Sequence, residues 1–298
     1  MHDKYPHLFS PIRIGGLVIK NRIEASPIAI PNDSPEFASM ENMVSYELRA
    51  RSGAGLVVHE EMAVSKLADN GSGPTFADTA LALQDIMKES EAVHRYGAIS
   101  SVSLTHHGGW NTLSVAPDGK LYAPSAFKNP YGIMTTEMTE DIMFELIEAY
   151  ARAAEMAQYG GHDMVQIHGA HGWLLSQFMS PLYNHRTDKY GGSLENRARF
   201  PLMIVDAIRK RCPKLPIEYR FSANDFMEGG FGPEEGIEFA KMLDGKVDLI
   251  HITSSSFFDP TCGKLFPSMF TERGVNIPLA ASVKAAVKTP VCTVGRIS

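Results

Sequence analysis

Two histidines three residues apart, His168 and His171, carry the strongest chemical signal in the chain. They follow a short apolar run, Met164 to Ile167, that reads as a buried strand, and Gly169 and Gly172 keep the backbone beside them open. Two imidazole N–H groups at a strand's carboxyl end can hold a developing oxyanion. The same pair could ligate a metal, with His106 from the stretch after another strand as a third ligand, although no carboxylate completes that set convincingly. It could equally satisfy backbone groups. Residues alone leave these three readings open.

Arg220 is the second signal. It lies inside the apolar strand Ile217–Phe221, where an unpaired charge is costly, so its partner should be anionic: an internal carboxylate or a bound ligand. Gly295-Arg296 is the third, at the end of the last apolar run. Backbone N–H groups at such a turn can hold a phosphate, and an ordinary turn explains them as well. The three cysteines, Cys212, Cys262 and Cys292, are too far apart for a local zinc or iron–sulfur motif. They read as small buried apolar residues and suit a reducing cytoplasm.

The elements that must position these groups alternate. Leu8 to Ile23 reads as a hairpin turning at Gly15-Gly16. Strands are expected within Arg22–Ala29 (ended by Pro27) and at Leu56–His59, Ile99–Leu104, Met164–Ile167, Pro216–Ser222, Val247–Thr253 and Val291–Val294. Helices are expected at Met40–Arg51, Gln84–Tyr96, after Thr139 and Ser193 as N-caps, after Pro233, and at Ala280–Lys288. Asn111–Met138, Ser254–Asn276 and the stretch between His171 and Ser193 read as long loops. Strand–helix alternation implies a parallel sheet. Seven such strands point to an α/β (β/α)8 barrel that stops at Ser298 before strand eight and the last helix, so a truncated chain is expected.

At 298 residues, one barrel of about 250 residues or two domains of about 150 would fit. A net charge of −6 argues against nucleic acid as the main partner. No apolar run approaches ~18 residues, so no membrane span is expected, and the amino terminus lacks the apolar core of a signal peptide.

The segment Asp163–Phe200, with His168, His171 and an ungapped run from Ser176 to Phe200, resembles the signature of the Old Yellow Enzyme family of flavin-dependent ene-reductases. It is most similar to the branch that includes 2,4-dienoyl-CoA reductases, and the resemblance runs from about Leu8 to the end of the chain. It implies a single flavin-binding TIM barrel over 1–298 with a hairpin plugging its bottom. It implies FMN as cofactor and NADH or NADPH as reductant, with hydride passing to the β-carbon of an alkene conjugated to a carbonyl. An iron–sulfur cluster and FAD belong only to longer members. The partner is then a small-molecule enone or enoyl compound. The reading leaves a homo-oligomer open.

By the same resemblance His168 and His171 bond the substrate's carbonyl oxygen and Arg220 faces N1 and O2 of the flavin. Gly295 and Arg296 hold phosphate, and Ser26, Pro27, Ile28 and Glu61 are further flavin contacts. The chain departs from the family at three places. Ser103 stands where glutamine is usual, Ala29 replaces a flavin-tuning cysteine or threonine, and Trp173 replaces the tyrosine that gives the α-carbon its proton. Tyr183 or water must then supply that proton. Two rivals remain: a non-catalytic fragment of a longer flavoenzyme, and a metal-dependent barrel hydrolase. The aromatic residues Tyr131, Phe257 and Phe258 of the long loops hint at an apolar or ring-bearing substrate.

Overall fold

The structure is a computed structural model that describes residues 4–28, 40–65, 67, 80–111, 118–259 and 264–297. It opens with an antiparallel hairpin, β1 (Ile12–Ile14) and β2 (Leu17–Ile19), which turns at Gly15 in a left-handed conformation. Ile14 and Ile19 pack on Leu56, Val58, Met164 and Leu249, so the hairpin closes the lower end of the sheet as expected.

Next come β3 (Glu24–Ala25), α1 (Met40–Arg51), β4 (Leu56–Ala63), α2 (Ala80–His94) and β5 (Ile99–Thr105). Ala29, one of the three departures, lies outside the described residues. The stretch expected as a featureless loop pairs two short strands, β6 (Tyr122–Ala123) and β7 (Thr136–Glu137). There follow α3 (Glu140–Tyr159), β8 (Met164–Gly169), α4 (Leu174–Met179), α5 (Leu194–Arg211), β9 (Ile217–Ser222), α6 (Pro233–Leu243), β10 (Leu249–Thr253), α7 (Ile277–Ala286) and β11 (Val291–Thr293). Thr139 and Ser193 cap α3 and α5 through their side chains, and Pro233 opens α6.

Seven of these strands form one parallel sheet in the order β11-β10-β9-β8-β5-β4-β3. This is the α/β architecture of a TIM barrel with seven of its strands among the described residues; β3 and β11 are the two ends of the sheet. The sheet curls far enough for their side chains to meet, with Cys292 Sγ 3.3 Å from Glu24 Oε2.

Period-two alternation sorts each central strand into two faces. Val165, Ile167, Ile217, Tyr219, Phe221, Ile250 and Ile252 join the main core with Leu146, Ala153, Phe200, Ile204 and Phe239 of the surrounding helices. The other face turns inward and is polar: Gln166 and His168, Glu218 and Arg220, His251 and Thr253.

Two boundaries change the reading of the site. β4 runs on to Ala63, so Glu61 lies within a strand and not after it. A bulge between His59 and Glu61 breaks the alternation there: His59 stacks on Tyr46 of α1, while Glu61 turns to the barrel mouth. β8 likewise includes His168, and the polar loop behind it contains α4, all six of whose residues are buried. Asn184 ties that region together, donating from Nδ2 to Phe178 O and Tyr190 O, each at 2.8 Å.

Replacing Asn184 with alanine strands both carbonyls in a buried setting. It should cost about 2–4 kcal/mol, read as a drop of several degrees in melting temperature. An unchanged melting temperature would show that the loop does not depend on this side chain.

Candidate active site

Glu61 is the centre of the barrel mouth. Its carboxylate accepts from His107 Nε2 at 2.7 Å, His168 Nε2 at 3.1 Å and Trp173 Nε1 at 2.9 Å. Against the opposing effect of burial, the bonds from His107 and His168 keep its pKa well below the ordinary carboxylate value. Trp173 is therefore the third donor of a clamp, a role its type did not suggest. His107 and Trp173 rings meet edge to face at 4.3 Å.

His168 and His171 come together as expected, their rings 5.0 Å apart. Burial lowers the pKa of both below the ordinary histidine value, so each is neutral near pH 7. Their hydrogen bonds select different tautomers. His168 Nδ1 accepts from Ala170 N at 3.2 Å, which places its proton on Nε2, toward Glu61. His171 Nε2 faces Thr253 Oγ1 at 3.2 Å and Arg220 Nη2 at 3.4 Å. Arginine has no acceptor, so His171 Nε2 accepts and its proton sits on Nδ1. His171 holds a left-handed φ of 65°, fixed by its N–H on Ser222 Oγ at 3.0 Å and its carbonyl on Phe257 N at 2.9 Å.

Arg220 is only 7% exposed, and its Nε has no partner among the described residues. Burial lowers its pKa from the ordinary arginine value, opposed by the charges of Glu24, Glu218 and Glu61. Its hydrogen bond goes to a neutral imidazole and Nε is left over, so the side chain has a donor to offer at the mouth. Gly295 and Arg296 follow β11 with φ of 122° and 49°. Asn276 braces this turn, donating to Val294 O at 2.8 Å and accepting from Ser254 Oγ at 2.6 Å. Ser26, Pro27 and Ile28 follow β3, with Ser26 Oγ 3.3 Å from Glu24 Oε1. Ser103 is buried and donates to Gln166 Oε1 at 3.1 Å, so its hydroxyl serves the barrel interior.

An aromatic wall covers the mouth. Phe257 stacks on Trp173 at 4.7 Å and on Trp110 at 5.6 Å; Phe258 packs on Tyr183 at 4.4 Å and on Trp110 at 5.1 Å. Tyr183 OH has the weak acceptor Met227 Sδ at 3.7 Å, and burial pushes its pKa up. His106, considered as a zinc ligand with His168 and His171, instead accepts from Gly108 N at 2.9 Å. None of those three belongs to either of the metal-competent clusters among the described residues.

Burial lowers the pKa of His106 to about 3. A histidine held neutral in this way contributes stability that is present above its unfolded value near 6.5 and is lost as pH falls toward 3. At pH 5 the loss is about 2 kcal/mol. His106→Asn keeps an acceptor for Gly108 N–H but cannot be protonated. Between pH 7 and pH 5 the variant should lose about 2 kcal/mol less stability than the parent, measured by chemical unfolding at each pH. Parallel pH profiles would contradict this.

A family model described as the NADH:flavin oxidoreductase / NADH oxidase family matches residues 7–298. The chain is 37% identical over 302 residues to an NADH oxidase of Thermoanaerobacter brockii, covering 98% of this chain and 46% of that protein. It is 32% identical over 323 residues to cinnamate reductase of Clostridium sporogenes, covering 100% of this chain and 48% of that one. Among solved structures it is similar to a 2-naphthoyl-CoA reductase–2-naphthoyl-CoA complex, with a TM-score of 0.89 at 28% identity, covering 98% of this chain and 47% of the other. The chain thus spans about half the length of each of these proteins. On the extent of the family match and these identities, the chain belongs to the NADH:flavin oxidoreductase / NADH oxidase family, the Old Yellow Enzyme family that its histidine segment resembles.

Proposed function

We propose that this chain forms the FMN-binding catalytic barrel of an NAD(P)H-dependent reductase of alkenes conjugated to a carbonyl. The observation that carries this reading is the buried, under-partnered Arg220 beside two neutral histidines of fixed tautomer. FMN, when bound, supplies the two-electron chemistry between the nicotinamide and the carbon–carbon double bond.

The residues present fit that cofactor. Arg220 offers a cation with an unused Nε to the anionic edge of a reduced isoalloxazine. Gly295 and Arg296 offer a left-handed turn for its phosphate. Backbone at Ser26, Pro27 and Ile28, together with Glu61 at the end of β4, would border the ring. Ser103 is engaged with Gln166, so any contact from it would need a water.

His171 would bind the substrate carbonyl oxygen through its Nδ1–H, and His168 would join it by turning its single Nε2–H from Glu61 to that oxygen. Their N–H groups, directed by Arg220 and Glu61, would stabilise negative charge developing there. Glu61 would act as a positioning residue, holding the His168 proton on Nε2. The α-carbon would receive its proton from Tyr183, whose hydroxyl is tied only to a thioether, or from water. The wall of Trp110, Trp173, Phe257 and Phe258 would exclude water and stack a flat ring. This favours aryl-substituted enones or enoyl compounds, in keeping with the cinnamate and 2-naphthoyl-CoA reductases among the relatives.

The test is anaerobic reduction of an aryl enone by the FMN-loaded chain with NADH or NADPH. His171→Ala should lower kcat by about 10²–10³ while the flavin spectrum persists. A loaded chain that oxidises NAD(P)H but never reduces the alkene, or a His171→Ala variant as fast as its parent, would overturn the reading.

A further inference from the structure

Below the mouth, four side chains from four strands converge: Glu24 of β3, Glu218 of β9, His251 of β10 and Cys292 of β11. Their candidate ligand atoms all lie within 4.8 Å of one another. Separate edges of the group measure 2.7 Å (His251 Nδ1 to Glu218 Oε1), 3.0 Å (His251 Nδ1 to Glu24 Oε1), 3.3 Å (Cys292 Sγ to Glu24 Oε2) and 4.0 Å (Cys292 Sγ to Glu218 Oε1). A tetrahedral ion about 2.0–2.1 Å from oxygen and nitrogen and about 2.3 Å from sulfur sets its ligands about 3.3–3.6 Å apart. The observed edges bracket that spacing.

Hydrogen bonding alone leaves the group incomplete. A single His251 Nδ1 faces two carboxylate oxygens, and one N–H cannot serve both well. Gln166 Nε2 adds a bond to Glu218 Oε1 at 2.8 Å. Yet Glu218 Oε2, fully buried and on a carboxylate of the cluster, has no partner among the described residues. An orphaned carboxylate oxygen is rare in a finished interior and points to a missing group.

We propose that Glu24, Glu218, His251 and Cys292 bind one divalent ion of the zinc type inside the barrel. One nitrogen, one sulfur and two carboxylates are a borderline-soft set that suits zinc and disfavours magnesium or calcium. Two carboxylates and a thiolate around a dication leave one negative charge, and Arg220, which acts on Glu24, Glu218 and Cys292 electrostatically, balances it. The ion would also join β3 to β11, the two ends of the sheet. The ion site shares Arg220 with the proposed flavin site, but its four ligands contact none of the residues assigned to the substrate.

Metal content by mass spectrometry after dialysis of the full chain against zinc with a weak competing chelator tests this. The parent should hold about one zinc per chain, and the near-isosteric Cys292→Ser less than about a fifth of that. X-ray absorption at the zinc edge should show one sulfur near 2.3 Å in the parent. A second cluster, His59, Glu89 and His162, is the control: His162→Asn should leave the stoichiometry unchanged. No zinc above background in the parent would overturn the proposal. So would a sulfur-free spectrum, or loss of zinc in His162→Asn but not in Cys292→Ser.

Discussion

A carboxylate drawn partly out of water needs donors around it, and at the barrel mouth that requirement joins three segments distant in sequence. Glu61 takes N–H groups from the stretch after β5, from β8 and from the turn before α4. Bonds to a charged acceptor contribute about 1.5–3 kcal/mol each, so the three together outweigh the burial that opposes ionisation. The cluster is possible only because of the bulge between His59 and Glu61. Without it, strict alternation would point both side chains the same way, and Glu61 would face the helices beside His59.

Arg220 sets the second constraint. Its row of the sheet runs from His168 across Arg220 to His251 and Cys292. The layer beneath is Ser103, Gln166 and Glu218, linked by side-chain hydrogen bonds. Proton positions in this interior are not independent. Glu24 and Glu218 raise the pKa of His251 to about 9, while Arg220 and burial depress that of His171. One buried arginine beside neutral imidazole donors, above a carboxylate-rich layer, is an arrangement suited to a site that manages negative charge.

Much of this was legible in the sequence. Apolar runs located the seven barrel strands, and Thr139 and Ser193 marked helix starts through their side-chain chemistry. His168 and His171 stood out as a close pair at a strand's carboxyl end, and Arg220 because a charge inside an apolar strand needs a partner. What stayed hidden has physical causes. A bulge leaves no mark in a period-two pattern, so Glu61 looked like a residue beyond its strand. Helix α4 is buried on every side and has no amphipathic stripe to reveal it. The two-residue strands β6 and β7 depend on pairing with each other, not on local propensity. Trp173 looked like a missing acid because its indole cannot give up a proton; its N–H bond to Glu61 is a contact between residues 112 positions apart.

The central claim is that Glu61 and Arg220 impose opposite tautomers on a neutral histidine pair. Nitrogen-15 NMR of the histidine rings near pH 7, assigned by replacing His168 and His171 singly, measures this directly. The account predicts one proton on each ring, on Nε2 of His168 and on Nδ1 of His171. A doubly protonated ring, or a proton on Nδ1 of His168, would contradict it.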